Sequence, residues 1–470
     1  MATGMDKPVD EVDPQPADTH ALNDQLTDWD REHFWHSFTQ MQDYQPLVIE
    51  RADGIWLETT DGQRLIDAAS SMWCNVHGHN HPVINAAIRD QLGRVAHCTS
   101  LGMGNDTTIR LAKRLADMAP GNLRRVLFSS DGSSAIEVAL KAAFQYWQQC
   151  DNHGGGPRPE KTKFLAFGDA YHGDTVGAAS VGGIGRFHSL FQPLLFDVVR
   201  APLPNRDAVP LEVNPADAAA YYLEQLEPLF AEHAHELAAV VIEPLVQCAA
   251  GMVMHPPGFL AGLRELATRH DVLLIADEVA VGFGKTGTMF ACEQEGVVPD
   301  FLCLGKGLTG GYLPMAVTIT NDAIYEAFLG DAASGRQLYH GHTFCGNPLA
   351  AAAAMACLDV FEQQQLLDAL PAKFQRLSGW FDRLAQHPAV TSTRQTGIIA
   401  AANFDTAREL SGDQPIGRQV AAEALRRGVW LRPQPHMLYV MPPLAISLEE
   451  IDQMMTIVEQ SIEVATGTHR

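Results

Sequence analysis

An α/β fold with a largely parallel sheet is predicted by three features of this sequence. From residue 124 onward, short and wholly apolar runs alternate with amphipathic helical patterns. The runs are apolar on both alternating faces, as strands covered on both sides must be. Several of them also end in a charged residue, in the place where parallel α/β sheets collect their ligands.

The runs are RRVLFSS, KFLAFGD, AAVVIEP, VLLIADE, DFLCLGK and MAVTIT, with SSAIEVALKAAFQYWQQ and GFLAGLRELATRH as intervening helices. Residues 1–25 are acidic, proline-bearing and poor in apolar side chains, which predicts a mobile tail. GIWLETTDGQRLIDAAS alternates around Asp61-Gly62, a hairpin signal. Helical patterns follow at 82–96 and 107–118, and DNHGGGPRPEK (151–161) predicts an exposed loop. NPLAAAAAMACLDVFEQQQ predicts a long helix, after which GIIAAANF, VWLRPQ and LYVMPP mix with helices in a smaller α+β unit. The 470 residues exceed what one simple core organises. The expected division is a tail over 1–25, an N-terminal part of a small domain over 26–81, a large domain over 82–350 and the rest of the small domain over 351–470.

The formal net charge of −23 argues against nucleic acid or an anionic membrane as the main partner. Eight cysteines lie far apart without a CxxC pair, which fits reduced thiols better than disulfides or zinc. No apolar run approaches a membrane span, and the first residues lack a charged-then-apolar leader pattern. A cytoplasmic setting is expected.

Three strand ends carry the candidate chemistry: Asp277 after VLLIA, Lys306 after FLCLG, and Glu243 after AVVI. An acid and an amine at neighbouring strand ends serve equally well as a structural ion pair. The neighbours favour chemistry. Gly132, Ser133 and Ser134 stand immediately before a helix, where free N–H groups and the helix dipole suit a phosphate, although an ordinary serine cap uses the same residues. FGDAYHGDT offers Tyr171 and His172 in a glycine-flanked turn, and GHTFCGNP offers Thr343 as a second phosphate donor. GFGKTG imitates GxGxxG but opens no helix, and Val279 stands where a P-loop needs its first glycine. The histidines of HGHNHP lack a carboxylate or cysteine at zinc spacing.

Lysine, aspartate, phosphate cradle and aromatic together suggest pyridoxal phosphate. Lys306 would bond the cofactor's aldehyde, and Asp277 would hold the pyridine nitrogen protonated. Gly305 and Gly307 would let the backbone approach the cofactor and the amine swing.

The order of segments resembles the class III, or ω-, aminotransferases: a Gly-Ser turn, YHG, IEP, ADEV, the GKG lysine, then GHTF. The likeness runs from about residue 30 to the C-terminus. It implies PLP-dependent transferase fold type I, with a mostly parallel seven-stranded sheet flanked by helices and a small α+β domain built from both ends of the chain. It also implies a homodimer with shared active sites, in which Thr343 reaches the phosphate of the other subunit's cofactor. SSMWCNVHGHNHP, IEPLVQCAAGM and GKGLTGGYLP are similar to the branch that aminates 8-amino-7-oxononanoate in biotin synthesis. In that likeness Arg432 would pair with a substrate carboxylate, Tyr171 would stack on the ring and Asp174 would set the pocket's polarity. Trp73, Gly341 and Tyr439 would meet the substrate.

Relatives that use glutamate carry a gating glutamate shortly after the Glu-Pro. This chain has Cys248-Ala249-Ala250 there, which implies another donor. Branch members using S-adenosylmethionine often show paired tryptophans and a tyrosine where Met72-Trp73 and Phe38 stand, so the resemblance leans to L-lysine. The competing readings are an ω-aminotransferase acting on a diamine or β-amino acid with pyruvate, a nucleotide binder using GFGKTG, and a catalytically silent homologue.

Overall fold

The computed structural model describes residues 19–151, 156–406 and 414–468. Residues 1–18 of the expected tail lie outside this range. The rest of that segment corrects the expectation, because Thr19–His33 is helical. Leu22, Leu26 and Trp29 recur on one side of it, and Asn23 bonds the Thr60 hydroxyl. The hairpin expected at Asp61-Gly62 is present. Strands β1 (Ile49–Asp53), β2 (Trp56–Thr59) and β3 (Arg64–Asp67) run antiparallel, with Gly62 at φ +85° in the second turn.

The large sheet is built from β4 (Arg125–Ser129), β5 (Lys163–Phe167), β6 (Val199–Ala201) and β7 (Leu237–Ile242). A two-residue ribbon follows, β8 (Val246–Gln247) with β9 (Val253–Met254). Then come β10 (Leu273–Asp277), β11 (Phe301–Leu304) and β12 (Ala316–Thr320). The seven strands stand in the order β4-β12-β11-β10-β7-β5-β6. MAVTIT, expected among the parallel strands, is the exception: β12 runs antiparallel to both β11 and β4. The connection 305–315 holds only a short 3₁₀ turn, and a parallel return needs a longer crossover.

The apolar runs are explained by β7. Val240 and Ile242 join one core with Leu260, Leu263 and Leu274, while Ala239 and Val241 join a second core with Ala135, Ile136 and Ile275. Alternate side chains thus face the helices Phe259–Arg269 and Gly132–Gln149 on opposite sides of the sheet. The alanines of Gly132–Gln149 bring it close to the strands, and Trp147 Nε1 donates to the Ala238 carbonyl at 2.9 Å. Each aliphatic side chain so buried contributes about 1.5–3 kcal/mol.

After the helix Pro348–Gln363, the chain forms a small sheet of β13 (Val390–Thr396), β14 (Ile399–Phe404) and, later, β16 (Met437–Val440). Between them, β15 (Val429–Trp430) pairs in parallel with β3, Val429 opposite Ile66. This joins the two ends of the chain beside the large sheet. The loop 151–161 departs from its expected exposure at one end, where Lys161 is buried. Residues 152–155 of it lie outside the described range. No helix among the described residues is long and apolar enough to cross a membrane.

Candidate active site

The carboxyl ends of β4, β5, β7, β10 and β11 open on a cavity of about 480 Å³ lined by Gly132, Ser133, Tyr171, His172, Asp277 and Lys306, among others. Strand order decides this. β10 lies beside β11 and β7, so Asp277, Lys306 and Glu243 come from adjacent strands.

Asp277 ends β10 almost fully buried and is held from two directions. Its Oδ2 meets His172 Nδ1 at 2.7 Å, and its Oδ1 accepts from the Val279 N–H at 3.1 Å. The other ring nitrogen of His172, Nε2, is buried without a partner among the described residues. Glu243 accepts the N–H groups of Tyr171 at 3.0 Å and Cys248 at 3.1 Å. Burial pushes its carboxyl up to about 7.

Lys306 follows β11 as the first residue of the 3₁₀ turn Lys306–Thr309, and its Nζ lies 4.8 Å over the Trp73 ring. Among the described residues it has no carboxylate or carbonyl partner. Its φ of +39° is left-handed, as are those of Ser70, Ser71 and Trp73 nearby, so strained backbone clusters at the cavity. This corrects the reading of the two glycines. Gly305 is extended at φ −166°, and the lysine itself takes the left-handed conformation. A Cβ on Gly307 would stand 3.0 Å from the Phe283 Cβ and 3.2 Å from Val76, so that glycine lets the turn pack closely.

The helix Gly132–Gln149 is capped by Asp131, whose Oδ1 accepts the Ser134 N–H at 2.9 Å. The cap therefore does not use Ser133, and the amides of Gly132 and Ser133, in the first turn, have no partner within the helix. Ser133 Oγ accepts instead from the Asp174 N–H at 3.3 Å, while the Tyr171 hydroxyl donates to Asp174 Oδ2 at 2.6 Å. Burial, reinforced by Asp174, pushes the Tyr171 phenol far up, so it keeps its proton. No Cβ fits on Gly132, where it would stand 2.6 Å from a Val279 methyl.

A second cavity, of about 260 Å³, shares Met72, Trp73, Tyr171 and Lys306 with the first. It adds Phe38, Arg186, Phe187, Cys248, Arg432 and Tyr439. Trp73 Nε1 donates to the Tyr439 hydroxyl at 3.3 Å, and Arg432 Nη1 lies 3.4 Å from Met72 Sδ.

This arrangement agrees with what comparison finds. The family model for class III aminotransferases matches residues 38–462. The chain belongs to the class III aminotransferases. Two curated relatives carry the name adenosylmethionine-8-amino-7-oxononanoate aminotransferase. The protein of Nitratidesulfovibrio vulgaris is 49% identical over 94% of this chain and 82% of its own. That of Geobacter sulfurreducens is 46% identical over 94% and 98%. The crystal structure of the so-named Methanocaldococcus jannaschii enzyme superposes with a TM-score of 0.86 at 37% identity, covering 94% and 99% of the two chains. An ω-transaminase of Thermomicrobium roseum gives 0.87 at 31%, covering 94% and 98%.

As a class III aminotransferase, the protein depends on pyridoxal phosphate, and the residues present fit that group. A buried carboxylate, an orphaned imidazole nitrogen, two N–H groups at a helix start and an amine surround one cavity.

Of the residues singled out in the sequence, Gly132, Ser133, Tyr171, His172, Asp277, Lys306 and Trp73 are brought together at the first cavity, and Arg432 and Tyr439 at the second. Gly341 and Thr343 line neither and are exposed on the loop before Pro348–Gln363. The histidines of HGHNHP diverge. His77 Nε2 bonds the Cys357 carbonyl at 2.8 Å, whereas His79 Nε2 reaches Asp67 at 2.9 Å. Lys285 of GFGKTG is buried, and among the described residues its ammonium bonds only the Gly282 carbonyl, at 3.2 Å. Nothing in the local sequence points to Arg186 and Phe187, which lie in the short helix Gly185–His188. The capping role of Asp131 was legible in principle, since Asp precedes Gly-Ser-Ser by one residue.

Proposed function

We propose that this chain transfers an amine to 8-amino-7-oxononanoate, giving 7,8-diaminopelargonate in biotin synthesis, with S-adenosylmethionine or L-lysine as donor. The observation that carries this reading is identity of up to 49%, across 94% of the chain, to relatives named for that reaction. The channel supports it through the apolar walls of Trp73, Phe38 and Met72 and the cation of Arg432, which suit a long chain ending in a carboxylate. The relatives' names favour S-adenosylmethionine. Met72 and Phe38, both on the channel wall, favour L-lysine.

Bound pyridoxal phosphate supplies an electron-poor ring that acidifies the carbon bearing the amine. The Gly132 and Ser133 amides would hold its phosphate at the helix start, joined by Thr343 of the partner subunit. Asp277 would meet the pyridine nitrogen, and His172 orients that carboxylate through Nδ1. Tyr171 would cover the ring face, with its hydroxyl tied to Asp174. Lys306 Nζ is the amine that would hold the cofactor in the cavity. Lys306 Nζ would also take and return the proton of the substrate carbon, and Trp73 and Tyr439 would keep water from it. Arg432 anchors the carboxylate, so the reacting carbon stops beside Lys306.

We further propose a homodimer in the cytoplasm. The Gly341–Thr343 loop lies beside exposed Tyr339, Phe344 and Leu101, the last 76% exposed, an apolar surface that a second copy would cover. The division into residues 26–81 with 351–470 as small domain and 82–350 as large domain is supported by the pairing of β15 with β3.

A paired-donor assay tests the function. Purified holoenzyme receives 8-amino-7-oxononanoate with S-adenosylmethionine, L-lysine or L-alanine, and diaminopelargonate is measured. Product with one donor is expected. Absence of product with every donor, alongside turnover of a simple amine and pyruvate, sinks the substrate in favour of an ω-transaminase of broader use.

A further inference from the structure

We infer that Arg186 is a second carboxylate-binding residue of the substrate channel and serves the amino donor, leaving Arg432 to the oxononanoate; this rests on the function proposed above. Arg186 lies in the short helix Gly185–His188, on a segment separate in the chain from Arg432, which follows β15. Both arginines line the cavity that contains Lys306. Among the described residues neither is paired with a carboxylate. The Arg186 guanidinium rests on the Phe187 ring at 4.8 Å, and Arg432 touches Met72 Sδ.

Charge makes this pairing unusual. The chain has a formal charge of −23, yet among the described residues this cavity is lined by Arg186, Lys306 and Arg432 and by no aspartate or glutamate. Lys306 is committed to the reacting atoms. Two guanidiniums remain, each able to take a carboxylate in a bidentate contact.

The alternation of substrates gives each a task. The oxononanoate carries its carboxylate at the far end of the chain from the ketone, whereas an α-amino acid reacting at its α-carbon carries it beside the reacting carbon. One fixed arginine does not serve both distances. Arg432 stands near Tyr171 and Tyr439, on whose phenols its charge acts. Arg186 enters from the Phe187 side, where that ring meets Phe38 at 5.1 Å. Arg186 also lines the adjoining groove beside Ala249, Ala250 and Gly251, the segment in which glutamate-using relatives carry their gating carboxylate. That segment carries no acid, and Asp169, which also lines the groove, forms no ion pair with Arg186 among the described residues.

The test follows the donor half-reaction of the holoenzyme by cofactor absorbance, without oxononanoate. Each donor is compared with its decarboxylated form: L-lysine with 1,5-diaminopentane, and S-adenosylmethionine with decarboxylated S-adenosylmethionine. In R186Q the half-saturating concentration of the carboxylated donor is expected to rise about tenfold. The decarboxylated amine should be unaffected, and R186K should recover part of the loss. Half-saturation by oxononanoate in the second half-reaction should move less than about twofold.

Equal losses for the carboxylated and decarboxylated amines, no loss for either, or a larger loss for oxononanoate overturns the assignment. So does a wild-type enzyme indifferent to the donor carboxylate. Selective loss in a protein that never makes diaminopelargonate keeps Arg186 in this role and removes the substrate assignment alone.

Discussion

The two edges of the seven-stranded sheet treat buried polar groups in opposite ways. At the amino edge, Lys161 enters beneath β5 and donates to the carbonyls of Ala234 at 2.8 Å, Leu237 at 3.0 Å and Asp271 at 2.8 Å. Its ammonium also lies 4.7 Å from the Trp147 ring. All three of its protons are used, although burial holds its pKa down to about 8. At the carboxyl edge, among the described residues, Lys306 has only the Trp73 ring and His172 Nε2 has no partner. A saturated lysine locks strands together. An unsaturated one, on strained backbone, is poised for a ligand that completes it.

The largest expected effect attacks the unsaturated side. Lys306→Ala should slow the donor half-reaction by about a thousandfold or more, read by absorbance, while unfolding in urea changes little. A rate within tenfold of wild type would end the contrast between the edges. Lys161→Met should do the reverse. Three buried carbonyls lose their donor, so stability should fall by about 3 kcal/mol in urea titration, with the half-reaction rate intact at low temperature.

His77 stands between the two cases, since Nε2 is bonded and Nδ1 is not. Burial depresses it from 6.5 to about 4, so as pH falls below 6.5 the unfolded chain takes up the proton first and stability is lost. Between pH 6.5 and 5.5 the wild type should lose about 1 kcal/mol more than His77→Gln, by paired denaturation curves. An identical slope would show that His77 is not held neutral.

The smallest effect sharpens the cofactor side. A Cβ on Gly173 (φ +125°) would stand 1.9 Å from Ser133 Oγ, so Gly173→Ala should weaken pyridoxal phosphate binding severalfold to about tenfold by pushing Ser133 off the helix start. Unchanged affinity would remove Ser133 from the phosphate site.

Much of the unsaturated edge was legible in the sequence. Lys306 and Asp277 follow apolar runs directly, and a charge at the end of a buried strand stands out. Gly132 and Ser133 were legible because a helix start follows a strand. Other features were not, for physical reasons. The helix at Thr19–His33 overlaps an acidic segment whose composition outweighed its spacing. Lys161 sits in a Gly/Pro-rich stretch that reads as exposed, and only its distant carbonyl partners justify its burial. The direction of β12 depended on the short connection after Lys306. Arg186 carries no local signal, because its importance comes from facing the same cavity as Arg432, over two hundred residues away.

By itself the sequence determined which segments are buried on two faces, which residues end them, and hence the cofactor chemistry. These are local properties, set by side-chain polarity and period. Only the tertiary structure decided which strand ends are neighbours. The order β4-β12-β11-β10-β7-β5-β6 puts Asp277 beside Lys306, the parallel pairing of β15 with β3 holds the segment leading to Arg432, and the cavity wall collects Arg186 and Arg432. Strand order is a sum over many weak contacts between segments far apart in the chain, and no single stretch of residues encodes it.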